Sequence, residues 1–105
     1  VYAAPARYEP FGLGILEAGR DGCALVLGDI PSLRELWDGA GLFVDPGDDA
    51  GLGDTLEGLL AAPETAAAWG RRARERSRAY SAVAMGEAYL DLYERMTGAR
   101  ARVAA

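Results

Sequence analysis

Two carboxylates, Glu9 and Glu17, bracket a turn-forming segment in the run Arg7-Tyr8-Glu9-Pro10-Phe11-Gly12-Leu13-Gly14-Ile15-Leu16-Glu17-Ala18. Pro10 and Gly12 are turn residues, and Gly12 and Gly14 leave the main chain bare where a helix should begin. A helix start carries unpaired N–H groups and the positive end of the peptide dipole, which together make a seat for phosphate. Glu17 falls inside that helix, about 7 Å along the axis from Gly12 at ~1.5 Å per residue. Glu9 falls in the loop before it. A phosphate seat flanked by two carboxylates suits a ligand with a charged middle and hydroxyl-rich ends, such as a nucleotide-sugar. The same two acids could form an acid/base pair, or simply be solvated.

The elements that must position these residues can be read in order. Val1-Tyr2-Ala3-Ala4 reads as a short buried strand stopped by Pro5, and the helix after the glutamate segment runs from Leu13 to Arg20. Asp21-Gly22 ends it, with glycine supplying a left-handed cap. Ala24-Leu25-Val26-Leu27 is a continuous apolar run bounded by Gly28-Asp29, as expected of a strand covered on both faces. Pro31-Ser32 opens a short helix through Trp37, Gly41 to Val44 is a third strand, and Asp45-Pro46-Gly47-Asp48 is a turn. Strand, helix, strand, helix, strand with short connections predicts a parallel α/β sheet. From Asp49 onward the pattern is helical. Leu52, Leu56, Leu59 and Leu60 recur before the break at Pro63, Trp69 and Ala73 mark an inner face of the next helix, and Met85, Tyr89, Leu92 and Met96 form a stripe on the last, capped by Ser81. Trp37, Trp69, Tyr89 and Tyr93 are expected in the core.

Composition excludes several functions. The chain has 105 residues, half of them hydrophobic, enough for a packed core in one domain or part of one. A net charge of −5 opposes nonspecific nucleic-acid binding, which needs a basic field. Histidine is absent and Cys23 stands alone, so His-based triads, His metal sites, thiolate zinc sites and an internal disulfide are all excluded within this sequence. The lone cysteine fits a reducing, cytoplasmic setting. No apolar run approaches the 18 residues of a membrane span. The chain opens on Val1 directly in an apparent strand and reads as a piece of a longer protein. Three parallel strands make a poor domain by themselves, so the expected architecture is the second half of a doubly wound domain.

Tyr8-Glu9-Pro10-Phe11-Gly12-Leu13 through Glu17-Ala18, followed by Gly22, Val26 and Asp29, resembles the C-terminal domain of GT-B glycosyltransferases. The similarity is to the retaining family 4 type (glycosyl transferases group 1), marked by an acid, seven residues and a second acid. Asp29-Ile30-Pro31 with Arg34-Glu35-Leu36, and Gly41-Leu42 with Asp45-Pro46-Gly47-Asp48, match later parts of the pattern. Tyr80-Ser81 and Leu92-Tyr93 fit its terminal helices. Gly19 and Ala24 depart from residues common in the family, at positions that pack instead of react. The likeness implies a Rossmann-like domain over residues 1–97, with 98–105 a frayed tail.

What the resemblance implies for function is specific. The donor is a nucleotide-diphosphate sugar, and its sugar passes to an acceptor hydroxyl with the anomeric configuration kept. Glu17 holds the ribose hydroxyls, Glu9 stands beside the donor sugar, and the backbones of Phe11, Gly12, Leu13 and Gly14 donate N–H groups to sugar or diphosphate. No metal and no prosthetic group is implied. The family's basic pair that grips the diphosphate and its acceptor domain are not in this sequence, so the chain alone is expected to be inactive. The rival reading is a noncatalytic Rossmann-like binding or assembly module. An NAD fingerprint is rejected, because Glu17 occupies the third glycine position of Gly12-x-Gly14-x-x-Gly. Arg71, Arg72, Arg74, Arg76 and Arg78 form a basic cluster read as a solvated surface, with peripheral contact to an anionic inner membrane face as its alternative. Glu35 is read as a cap or ion-pair partner and Cys23 as a packed residue. The first strand is expected to offer an open edge for the rest of the same protein or for self-association.

Overall fold

The computed structural model describes residues 1–9 and 12–97. Three strands, β1 (Tyr2–Ala4), β2 (Leu25–Gly28) and β3 (Leu42–Val44), form one parallel sheet in the order β1-β2-β3. Helix α1 (Leu13–Arg20) joins the first two strands, and α2 (Pro31–Trp37) joins the second and third. Then follow α3 (Asp49–Ala61), α4 (Pro63–Ser77), a 3-10 turn over Arg78–Tyr80, and α5 (Ala82–Thr97). The Rossmann-like α/β class expected from the alternation of elements is the class observed. The expected tail at 98–105 lies outside the described residues.

The central strand explains the two cores. All four β2 residues are buried, and alternate side chains point to opposite faces. Leu25 and Leu27 pack with Ile15, Leu16 and Ala18 of α1 and with Leu33 and Trp37 of α2. Ala24 and Val26 pack with Val44 and with Leu59 of α3, where Leu52, Leu56 and Trp69 close the cluster. Each fully buried Leu or Val contributes about 1.5–3 kcal/mol by leaving water, so β2 anchors both layers at once. Register follows from the same packing: Tyr2, Ala3 and Ala4 lie opposite Leu25, Val26 and Leu27, while Val26, Leu27 and Gly28 lie opposite Leu42, Phe43 and Val44 of β3.

Helix α4 contributes to both cores, through Ala73 on one side and Ala66 and Trp69 on the other. It can do so because it passes the amino end of β2 at backbone distance. A Cβ on Gly70 would collide with the carbonyl oxygen of Gly22 in the α1–β2 turn. Gly22 itself has φ of 80°, the left-handed value expected of this cap. Arg76 then clamps the end of α2: its guanidinium donates to Leu36 O at 2.9 Å and Asp38 O at 2.8 Å. Those are carbonyls that a helix end leaves without intrahelical donors. The basic cluster on α4 divides accordingly. Arg76 is a clamp, Arg72 lies 4.8 Å over the Trp69 ring, and Arg78 pairs with Glu75.

Three expectations need correction. β1 is not buried within the chain: it is the edge strand, with Val1, Tyr2 and Ala3 exposed. The stripe on α5 does not reach the core. Tyr89 is 57% and Met96 72% exposed, and Met85, Leu92 and Tyr93 are exposed too. Ser81 does cap this helix, accepting from Ala84 N–H at 3.1 Å, but α5 packs on the 3-10 turn and otherwise extends away, in a molecule 53 Å long and 27 Å across. Helical spacing shows that one face is apolar; it does not show that something covers it. Glu35 is exposed and takes no ion pair among the described residues, because Arg34 turns to Asp29 and Asp38 instead. No helix among the described residues is long and apolar enough to cross a membrane.

Two glycine substitutions separate packing from helix propensity. In an open helical position, Gly→Ala stabilises by up to ~1 kcal/mol. Gly58 on α3 has open space around it, so Gly58→Ala should raise the denaturation midpoint. Gly70→Ala should lower stability by about 1–3 kcal/mol despite the same propensity gain, because backbone would have to move. Urea unfolding of both variants checks the opposite signs.

Candidate functional site

Glu9 and the start of α1 lie at the carboxyl edge of the sheet, the edge at which open α/β sheets bind ligands, with Glu17 just over one turn into that helix. After β1 the chain turns tightly at Pro5, with Ala6 N–H donating to Ala4 O at 2.8 Å. It then runs across the end of β2. A Cβ on Gly28 would overlap Ala6 O, so this approach needs glycine at the last position of the strand. Arg7 reaches the neighbouring loop after β3, where its Nη2 would be 3.5 Å from a Cβ on Gly47. That loop is shaped by Asp45, whose carboxylate accepts from Gly47 N–H at 2.9 Å.

Glu9 is half-buried between the exposed Tyr8 and the turn into α1. Its carbonyl oxygen accepts from Ser32 Oγ at 2.6 Å, which ties the loop to the first turn of α2. Its Cγ lies 3.3 Å from where a Cβ on Gly12 would be. Gly12 has φ of 81° and ψ of 70°, left-handed values that L side chains adopt only with strain, and a Cβ would also press on Ile15. Two of the expected site residues, Glu9 and Gly12, are therefore close enough that a side chain at 12 would crowd Glu9. Phe11 lies outside the described residues.

Helix α1 begins with no side-chain cap and no acid in its first turn. Leu13 is 70% exposed and Gly14 is exposed, so the first N–H groups are not buried under their own side chains. A Cβ on Gly14 would meet the Tyr2 hydroxyl at 2.9 Å, so that glycine also admits the β1 tyrosine. Ile15, Leu16, Ala18 and Gly19 face the core, which leaves Glu17 on the outer side of the helix. Its carboxylate has no hydrogen bond or ion pair among the described residues. No hydrogen bond joins Glu9 to Glu17. No cluster of three potential metal ligands occurs among the described residues.

Asp29, just beyond β2, is fully engaged. Arg34 Nε and Nη2 donate to its two carboxylate oxygens at 2.7 and 3.0 Å, and Nη1 donates to Asp38 at 3.1 Å. The same guanidinium lies 4.1 Å over the Phe43 ring. These hydrogen bonds hold the Asp29 carboxyl below its ordinary value of 3.8 and push the Arg34 guanidinium up. The network fixes α2 against the strand ends and thereby fixes Ser32. A broad hollow of about 440 Å³ lined by Gly39, Ala40, Arg72, Glu75, Arg76 and Ala79 lies before β3, at the opposite edge from the glutamates. Its size does not make it the site; the carboxyl edge has the free carboxylate and the open helix start.

With that geometry in place, comparison with known proteins decides the family. The family model for glycosyl transferases group 1 matches residues 1–76. The chain belongs to the glycosyl transferases group 1 family. It is 34% identical over 106 aligned residues to a phosphatidyl-myo-inositol mannosyltransferase of Mycolicibacterium smegmatis, covering 98% of this chain and 28% of that protein. It is 39% identical over 74 residues to a glycogen synthase of Mycobacterium tuberculosis, covering 69% of this chain and 18% of the relative. Among solved structures, sucrose-phosphate synthase of Thermosynechococcus elongatus superposes with a TM-score of 0.72 at 32% identity, over 89% of this chain and 25% of that one. The segment thus spans 18–28% of the length of these proteins, and its GT-B assignment rests on sequence and fold together.

Ser32, Gly28 and Arg7 make contacts at this edge that the sequence does not signal. Ser32 follows Pro31 at an ordinary helix start, and nothing local links it to a loop 23 positions earlier. Gly28 resembled a plain strand end. Arg7 belonged to the motif stretch, but its approach to Gly47 depends on sheet order.

The Asp29–Arg34 pair gives a pH signature. A carboxyl depressed in the folded state adds stability above its unfolded value, and that contribution disappears as pH falls through the folded value. The Asp29 carboxyl should therefore titrate below 3.8 by NMR and return toward 3.8 in Arg34→Ala. The stability difference between Arg34→Ala and the parent should shrink as the medium is acidified through that window. Being exposed, the pair should also weaken with added salt.

Proposed function

We propose that this chain supplies the donor-binding face of a retaining glycosyltransferase, using a nucleotide-diphosphate sugar and passing the sugar to an acceptor hydroxyl. The observation that carries the reading is the start of α1: no side-chain cap, exposed Leu13 and Gly14, and an unengaged Glu17 on the outer side of the same helix. N–H groups at that start suit an anionic diphosphate. A free carboxylate beyond it suits a vicinal diol, so Glu17 is assigned to the ribose. Glu9, in the tethered loop, is assigned to the donor sugar. Gly12, Leu13 and Gly14 act through their backbone, with Phe11 assigned the same role from the motif.

In this reading the bond from the anomeric carbon to the diphosphate oxygen breaks, and a bond to the acceptor oxygen forms with configuration kept. Negative charge grows on the departing diphosphate. Donors already aimed at that charge lower the barrier because they need no reorganisation during the reaction. Cations that complete the grip, and the acceptor site, are assigned to parts of the protein beyond this segment, given the quarter-length overlap with its relatives. The 105-residue chain by itself should turn over no donor. A cytoplasmic setting belongs to the same reading, as does pairing of the exposed β1 edge with further strands of the same protein.

Calorimetry on the full-length product of the encoding gene, titrated with UDP, GDP and ADP, tests the assignment. Hydrogen bonds to a charged group contribute about 1.5–3 kcal/mol, so Glu17→Ala should weaken the preferred nucleotide by about 10- to 100-fold. The 2′-deoxy nucleotide should show a similar loss with the parent protein and little further loss with the variant. Unchanged affinity in Glu17→Ala would remove the ribose assignment. Nucleotide binding without sugar transfer from any donor would favour the noncatalytic module.

A further inference from the structure

We infer that Ser32 is a positioning residue: its hydroxyl, held on α2, fixes the loop that carries Glu9 and so sets the direction of the Glu9 carboxylate. The inference rests on the donor-sugar role proposed for Glu9. Three contacts define the loop between β1 and α1. At its start the backbone of Ala6 lies on the bare Cα of Gly28. At its end Gly12 turns left-handed into α1, and a Cβ there would crowd the Glu9 side-chain stem. Between them, among the described residues, the side-chain hydrogen bond from elsewhere in the fold is Ser32 Oγ to Glu9 O, at 2.6 Å. That length is normal for a hydroxyl donor to a carbonyl.

The donor end of this bond is itself well fixed. Ser32 sits in the first turn of α2, next to Pro31 at the helix start. Two residues later Arg34 forks onto Asp29, and the far end of the helix is clamped by Arg76. Leu33 and Trp37 are buried in the core from the same helix. A hydroxyl on such a support can hold a loop carbonyl in place, whereas the flanking Tyr8, 84% exposed, provides no comparable anchor. The carbonyl is held by Ser32, and the bare Cα of Gly12 leaves room for the Glu9 side-chain stem beside it. Displacement of a reacting group by about 1 Å can cost on the order of 100-fold in rate, so a backbone tether can matter without touching substrate.

The test uses Ser32→Ala, Ser32→Thr and Glu9→Gln in the full-length product of the encoding gene, with hydrogen exchange, nucleotide binding and turnover as readouts. Ser32→Ala should speed amide exchange in residues 6–9 while leaving the α4 amides unchanged. It should lower kcat by about 10- to 100-fold with UDP, GDP or ADP affinity kept within about twofold, since the tether serves the sugar side. Ser32→Thr, which retains the hydroxyl, should recover most of the rate. In a Glu9→Gln background the serine change should add little further loss, because coupled residues are not additive. Unchanged loop exchange or unchanged kcat in Ser32→Ala would overturn the inference. Equal loss of nucleotide affinity would overturn it as well. If Glu9→Gln retains full turnover while Ser32→Ala loosens the loop, the tether stands and the sugar role of Glu9 is what fails, taking the positioning role with it.

Discussion

The contact between Ala6 and Gly28 governs the carboxyl edge of this sheet. A strand that ended in any residue with a Cβ would lift the β1–α1 loop away from the sheet. The Ser32 hydroxyl would then no longer reach the Glu9 carbonyl, and the turn at Gly12 would enter α1 from another angle. Backbone laid directly on backbone is demanding, because neither side has a flexible side chain that can give way. It is also economical in residues: one bare Cα sets the height of a whole loop.

A second contact of the same kind controls the opposite edge. Gly70 lets α4 lie against the α1–β2 turn, and from there α4 reaches both hydrophobic clusters. The two glycine contacts divide the sheet between tasks. The amino edge is closed by a helix crossing under β2, with Arg76 closing α2 from the same side. The carboxyl edge is left with loops, an uncapped helix start and a free carboxylate. The packing that closes the sheet and the open loops of the candidate site are thereby separated along the length of a strand only four residues long.

Much of this arrangement was legible in the sequence. The apolar run at Ala24 to Leu27 had to be a strand buried on both faces, and Asp21-Gly22 had to end a helix, because few other conformations suit those residues. The family motif located the Glu9 to Glu17 stretch, and the bounds of α1 followed from its glycine start and its Gly22 cap. What could not be read were relations between distant residues. The Ser32–Glu9 bond links positions 23 apart, and the Gly28–Ala6 approach depends on how loop and strand cross. Burial was legible only as a tendency. Trp37 and Ala73 are core residues as their spacing suggested, yet Tyr89 and Tyr93, with equally regular spacing, are exposed. Periodicity describes a helix face, and the covering partner is a separate fact.

Helix α5 gives that distinction a mechanical side. It is anchored near Ser81 and extends sixteen residues, about 24 Å at ~1.5 Å per residue. A rigid rod fixed at one end magnifies small rotations: tilting it by about 10° would carry its tip about 4 Å for the same ~1.5 Å rise. Its acidic residues Glu87, Asp91 and Glu94 would move with its apolar ones, so a small adjustment at the 3-10 turn redirects an entire amphipathic surface. The sheet and its loops, held by direct backbone contact, have no such lever. The base of that rod is the three-residue 3-10 turn, whose Tyr80 packs beside the buried Trp37.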